Sequence, residues 1–224
     1  MAALQRPERA PQLPTAGLNG IKTWPGEEKA WEALELLDPS DVCPRADVSY
    51  DADSGLYEVR SYGAVFSVSP TRREISSAIP LGRRLLDTRE YFFSLSIAWY
   101  LACARDIPLS GRLMKPVHMK GGQMFARGTH VLPLDELAEK YSDDREGFLK
   151  RGALFGGVPG SQGDVSVCLP AFPRVPVYIA LWSGDDEFPP RADLMFDSTC
   201  ELQVPIDVVW SIASMSVLIM LENV

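Results

Sequence analysis

Residues 91–104 read YFFSLSIAWYLACA, fourteen positions without a charge, whose only small polar residues are Ser94 and Ser96. A surface helix keeps one wet face, so a stretch that is apolar nearly all round belongs inside the fold. Asp87 followed by Glu90 supplies an N-terminal helix signal. The expectation is a central helix opening at Asp87, with Phe92, Leu95, Trp99 and Leu101 in the core. Burying each such side chain is worth about 1.5–3 kcal/mol, enough to organise a domain around this element.

Upstream, the run from Asp47 to Ser69 alternates in LYEVRS and AVFSVS around the turn Asp51-Ala52-Asp53-Ser54-Gly55, which predicts a small antiparallel meander. Before it, Pro25 opens a helix with Trp31, Leu34 and Leu37 on one face and Glu27, Glu28 and Glu35 toward water. Asp38-Pro39-Ser40 is expected to stop it. Downstream, LMKPVHM (113–119) reads as extended, with His118 on the strand. Gly121-Gly122 reads as a turn requiring positive φ. Pro133 and Ser142 start two short helices.

Strands return with DVSVCLP (164–170), VPVYIALW (175–182) and ADLMFD (192–197). GDDEFPP (184–190) joins the last two as a hairpin whose tip Trp182 and Phe188 pin to the sheet. Pro205 then opens a terminal helix, IDVVWSIASMSVLIML. This order predicts an α+β fold, mostly antiparallel sheet packed with a central apolar helix and a C-terminal helix. Residues 24–224 are expected to form a single domain. Residues 1–23, with Pro7, Pro11 and Pro14, read as an extended proline-rich arm that buries too little to fold alone and is suited to docking on a partner.

A net charge of -8 argues against nucleic acid as the main partner, because phosphate binding needs a basic surface. The longest uncharged apolar run, Val208 to Leu221, is 14 residues against the roughly 20 that cross a bilayer as a helix. MAALQRPERAPQLP has no apolar core of a signal peptide, so a cytoplasmic protein is expected. Cys43, Cys103, Cys168 and Cys200 lie too far apart for a local zinc or iron–sulfur motif and read as reduced thiols. There is no phosphate-cradling glycine motif, no GxSxG and no HExxH, so no catalytic residue and no metal ligand is nominated.

The placement of charge is more informative. Between Arg105 and His130 stand five basic residues against Asp106 alone, while between Ser183 and Asp207 stand seven acidic residues against Arg191 alone. Charged surface loops are the ordinary explanation. The sharper reading gives the basic loop an anionic ligand, with Lys120, Gly121, Gly122 and Arg127 as contacts, because glycine lets backbone N–H groups approach an anion. His130 and Arg174 complete that candidate set, for a group such as a corrinoid or a nucleotide phosphate. Asp185, Asp186 and Glu187 read as an interaction site for a basic partner. Three adjacent carboxylates cannot all face one cation, so calcium is not the reading.

Several segments carry a family resemblance. Gly121-Gly122, Arg127-Gly128-Thr129-His130, Pro173-Arg174-Val175-Pro176, Leu181-Trp182, Gly184-Asp185-Asp186-Glu187-Phe188-Pro189 and Leu194-Met195-Phe196-Asp197 resemble an uncharacterised prokaryotic family, a domain of unknown function. The resemblance runs from about Asp47 to Leu221. Its relatives are often joined to a putative iron–sulfur domain like that of corrinoid iron–sulfur proteins, which implies anaerobic redox or corrinoid metabolism. This chain has no cysteine-rich module, so a partner would supply the cluster. Three functions are therefore carried forward. The first is a non-catalytic accessory or interaction subunit of a larger assembly, with a protein partner. The second is a ligand- or cofactor-binding protein. The third is a small enzyme pairing His130 with Asp185 or Asp197.

Overall fold

The computed structural model describes residues 25–126 and 130–221; the proline-rich arm, with Pro7, Pro11 and Pro14, lies outside the described residues. The first helix, α1 (Pro25–Glu35), has proline and two glutamates in its first turn, which suit the free N–H groups and positive end of the helix dipole. It buries Ala30, Trp31 and Leu34. Glu27 does not face water as the pattern predicts. It is buried and accepts a 2.8 Å bond from Trp31 Nε1, so the indole, one turn on, draws it inward.

Asp38-Pro39-Ser40 does end α1, and the same three residues begin α2 (Pro39–Ala46), which the sequence reading missed. Asp38 caps it by accepting from Ser40 N at 2.8 Å. Two prolines within eight residues argue locally against a helix, yet Pro39 sits in the first turn, where its missing N–H costs nothing. Val42 and Ala46 of α2 enter the core, and Asp47 ends it in the left-handed region, at φ 52°.

The meander forms a four-stranded antiparallel sheet, β1 (Ser49–Asp51), β2 (Leu56–Ser61), β3 (Ala64–Ser69) and β4 (Glu74–Ser76), in sequence order. Tyr57 pairs with Val68 and Val59 with Phe66, which puts these four on the buried face. A second sheet holds β5 (Leu113–Met114), β6 (Val158–Pro159), β7 (Val165–Phe172), β8 (Val175–Trp182) and β9 (Arg191–Asp197), ordered β5-β9-β8-β7-β6 and antiparallel throughout. Val167, Leu169, Val177, Ile179, Leu194 and Phe196 share its packed face. On the other face Cys168, Tyr178, Met195 and Trp182 are only half-buried.

The two sheets meet at the β2–β3 turn. Tyr62 N donates to Pro170 O at 2.8 Å, and Ser61 Oγ donates to Ala171 O at 2.5 Å. Tyr62, at φ 45°, drives its ring into the core, where its hydroxyl lies 2.7 Å from Ser216 Oγ. Gly63 and Gly156 touch backbone to backbone here: a Cβ on Gly63 would fall 2.9 Å from Gly156 N.

The apolar run 91–104 lies in α3 (Pro80–Cys103), which starts at Pro80 and not at Asp87. The signal at Asp87 and Glu90 marks a kink instead, where Arg89 takes φ -137° and ψ 24°. Leu95 and Leu101 are buried as expected. Phe92 and Trp99 are half-buried, because each turns to a neighbour at the rim: Phe92 edge-on to Trp210 at 5.6 Å, and Trp99 Nε1 to Gly26 O at 3.0 Å. The more enclosed helix is the last, α7 (Ile206–Leu221), following the single turn α6 (Cys200–Gln203). All three of its serines, Ser211, Ser214 and Ser216, are buried, with Val208, Val209, Ile212, Met215, Val217, Ile219 and Met220. Helices α4 (Leu134–Tyr141) and α5 (Arg145–Leu154) complete the fold, α5 being capped by Asp144 rather than opened at Ser142. Among the described residues no helix is long and apolar enough to cross a membrane.

Candidate functional site

The basic segment 105–130 and the acidic segment 183–207 lie side by side in the fold. Pairing of Leu113 with Asp197 and of Met114 with Phe196 draws them together. Lys115 Nζ reaches Asp193 Oδ1 at 2.5 Å, Lys120 N donates to Glu201 Oε1 at 2.6 Å, and Ser198 N donates to Arg112 O at 2.8 Å. Part of the charge separation seen along the chain is therefore closed internally. His118 is not on a strand: Pro116 turns the chain into a single 3-10 turn, Pro116–His118, immediately after β5.

Asp197 is the hub of this junction. It is buried and accepts five bonds, from Ser110 N, Ser110 Oγ, Gly111 N, Thr199 N and Thr199 Oγ1, at 2.7–3.0 Å. Burial alone would raise its pKa, but the bonds from Thr199 and Ser110 outweigh burial and hold it at about 2. An enzyme using Asp197 with His130 would have to take that carboxylate out of this cage.

Lys120 and Gly121 are exposed; Gly121 has φ 83°, as the turn requires, and rests near Ile206. Gly122 is buried, and a Cβ there would fall 2.0 Å from Pro116 O. Close packing of two backbone segments thus explains this glycine without an anion. Gly122→Ala is expected to lower stability by about 2 kcal/mol or more, as overpacking does, with Gly121 left intact; a chemical denaturation midpoint equal to wild type would refute this. His130 O accepts from Trp210 Nε1 at 2.9 Å, and its ring stands edge-on to Trp210 at 4.8 Å. Arg127 lies outside the described residues. Arg174 is engaged elsewhere, with Asp106 at 2.6 Å and with the carbonyls of Arg45 and Pro44 at 3.0 and 3.1 Å.

The β8–β9 hairpin carries the acidic triplet. Asp185 Oδ1 accepts from Glu187 N at 2.9 Å and Phe188 N at 2.8 Å, and Asp185 N donates to Phe188 O at 2.9 Å. The two backbone bonds pull the Asp185 pKa below the ordinary carboxylate value. The base is braced by Arg145, which bonds Ser183 Oγ at 2.9 Å and pairs with Asp164 at 3.5 Å. Arg191 stacks on Trp182, 4.2 Å from the ring centroid. Phe188 does not pin the tip as expected: it is 67% exposed, because the Asx turn closes the loop without it.

Among the described residues no three His, Cys, Asp or Glu side chains gather as a metal-binding group, and all four cysteines are free thiols. Residues 38–218 match the family described as a domain of unknown function, DUF3786. The chain belongs to that family. No curated protein and no solved structure matches it. The DUF3786 span takes in both sheets, the Asp197 hub and the hairpin, and it opens at Asp38, the cap of α2. Helix α1 stands outside DUF3786 although Trp31 and Leu34 are in the core.

The sequence reading found the hairpin triplet but missed Phe188 as the presented group, and it missed Asp197 as a hub. Asp197-Ser198-Thr199 is an Asx-type signature, an aspartate with an acceptable donor two residues on, and would have pointed to the hub.

Proposed function

We propose that this DUF3786 chain is a non-catalytic accessory subunit of a larger cytoplasmic assembly, and that the β8–β9 hairpin docks it on a basic partner. The observation carrying this reading is Phe188, 67% exposed on a loop held by its own hydrogen bonds, directly after the exposed Asp185, Asp186 and Glu187. A loop already ordered in its binding shape loses little entropy on association. An exposed aromatic is a common anchor of protein interfaces. Its acidic surround favours a basic partner and speeds encounter. The half-covered second face of the larger sheet, with Tyr178 and Met195, offers further surface beside it.

The anaerobic redox or corrinoid setting rests on the family resemblance, and a partner carrying an iron–sulfur cluster is the first class to look for. The test is the native mass of the protein taken gently and anoxically from its own cells. A mass far above 24.7 kDa, with other chains present, is the expected result. Phe188→Ala should weaken the assembly at least thirtyfold or so without moving the thermal midpoint, and raised salt should weaken it further. A wild-type chain running at its own mass overturns the proposal.

A further inference from the structure

A separate cavity beside β5 carries an inference independent of the docking reading. It has a volume of about 260 Å³ and lies between the 3-10 turn after β5, the entry to α4 and the β9 strand. Phe125, Leu132, Leu134, Ala192 and Leu194 form apolar walls. At its rim Val117 and Val131 are 36% and 56% exposed, two apolar side chains that border an opening without closing it. Binding cavities for small molecules have this composition, mostly apolar with a few placed polar groups, and usually start near 300 Å³. At about 260 Å³ this one has room for one small molecule.

Among the described residues, three charged side chains line it: Lys115, Asp193 and Asp135. Lys115 pairs with Asp193, which uses one of the three ammonium hydrogens and leaves two directed elsewhere. Asp135 stands in the first turn of α4, exposed, and lines the same small cavity. Among the described residues the cavity therefore offers one cation with donors to spare and one further carboxylate, beside its apolar walls. A plain anion would meet two carboxylates against one ammonium. A plain amine would satisfy Asp135 but leave the spare Lys115 hydrogens without an acceptor. A ligand bearing both charges and an apolar body matches all three groups.

We propose that this cavity binds a free α-amino acid with an apolar side chain, its carboxylate on Lys115, its ammonium on Asp135 and its side chain against Leu194 and Phe125. Lys115→Met and Asp135→Asn alter opposite ends of the ligand, and Asp135 is at the surface, where substitution does not threaten folding.

The experiment is calorimetric or NMR titration of the full chain with four probes: leucine, phenylalanine, 2-phenylethylamine and 3-phenylpropionate. The two amino acids should bind, with the single-charge probes weaker by roughly tenfold, the worth of one charge-assisted hydrogen bond. Asp135→Asn should weaken phenylalanine by a similar factor and leave 3-phenylpropionate unchanged. Val131→Trp, a surface change that caps the opening, should abolish binding while the thermal midpoint holds. The proposal fails if no amino acid binds the folded protein, if a single-charge probe binds as tightly, or if Val131→Trp leaves binding intact.

Discussion

Gly63→Ala is expected to cost about 3 kcal/mol or more, a large share of the roughly 5–15 kcal/mol that holds a domain together. Two effects add. Gly63 has φ 74°, where an L side chain loses about 1–2 kcal/mol. Its new Cβ would also lie 2.9 Å from Gly156 N and 3.0 Å from Phe155 C. Both are backbone atoms that cannot swing aside, so the seam between the sheets must open. Opening it strains the bond from Tyr62 N to Pro170 O and the buried hydroxyl pair of Tyr62 and Ser216. Gly55→Ala is the control. Gly55 has nearly the same φ, 71°, but a Cβ there meets only Tyr50 Oη, at 3.7 Å. Urea midpoints should separate the two variants clearly; equal midpoints would show that backbone conformation alone, and not the seam, sets the cost.

Asp197→Ala ranks second, with an expected loss of about 3 kcal/mol at neutral pH, since removing a buried charged acceptor strands its donors. Three of the stranded donors are backbone N–H groups, of Ser110, Gly111 and Thr199. The same carboxylate gives an acid signature. Its folded pKa, about 2, lies below the ordinary 3.8, so its contribution is complete above about pH 5 and is lost as the pH falls through 3.8 to about 2 and below. Allowing for screening near the loop surface, that contribution is on the order of 1–2 kcal/mol. Asp197→Asn should flatten this part of the stability curve relative to wild type, as followed by denaturation at stepped pH. An unchanged acid limb would remove Asp197 as its source.

The longer strands β2, β3, β7, β8 and β9 were legible because they are apolar runs bounded by turn residues, and Glu58 and Arg60 between Tyr57, Val59 and Ser61 make a clear case. Strands β4 and β6, three and two residues long, carry too little pattern to be read. That they form two sheets was not legible, since the division depends on Tyr62 and Pro170, more than a hundred residues apart. The length of α3 was hidden by Asp87, a good starting residue that sits at a kink. Helix α2 was hidden by its prolines. At the site, a count of charges along the chain showed two oppositely charged segments but not that Lys115 and Asp193 answer one another. Glycines were ambiguous for a similar reason. Gly121 and Gly122 stand together in sequence, yet one serves a turn and the other a close backbone approach.

The position of α7 sets a timetable for synthesis. Tyr62 bonds the α7 residue Ser216, Arg151 Nε donates to Ile219 O at 2.7 Å, and Tyr141 donates to Met220 O at 2.8 Å. The β2–β3 turn, α3, α4 and α5 are thus joined by one helix that leaves the ribosome after them. About a hundred residues separate the end of α3 from α7, which at about 5–20 residues per second is roughly 5–20 s of translation. During that interval the nascent chain displays Phe92 without its α7 neighbour Trp210, and Tyr62 without Ser216. Chaperone capture on the ribosome, and sensitivity to codon changes that slow the stretch between α3 and α7, follow from the order of these helices in the chain.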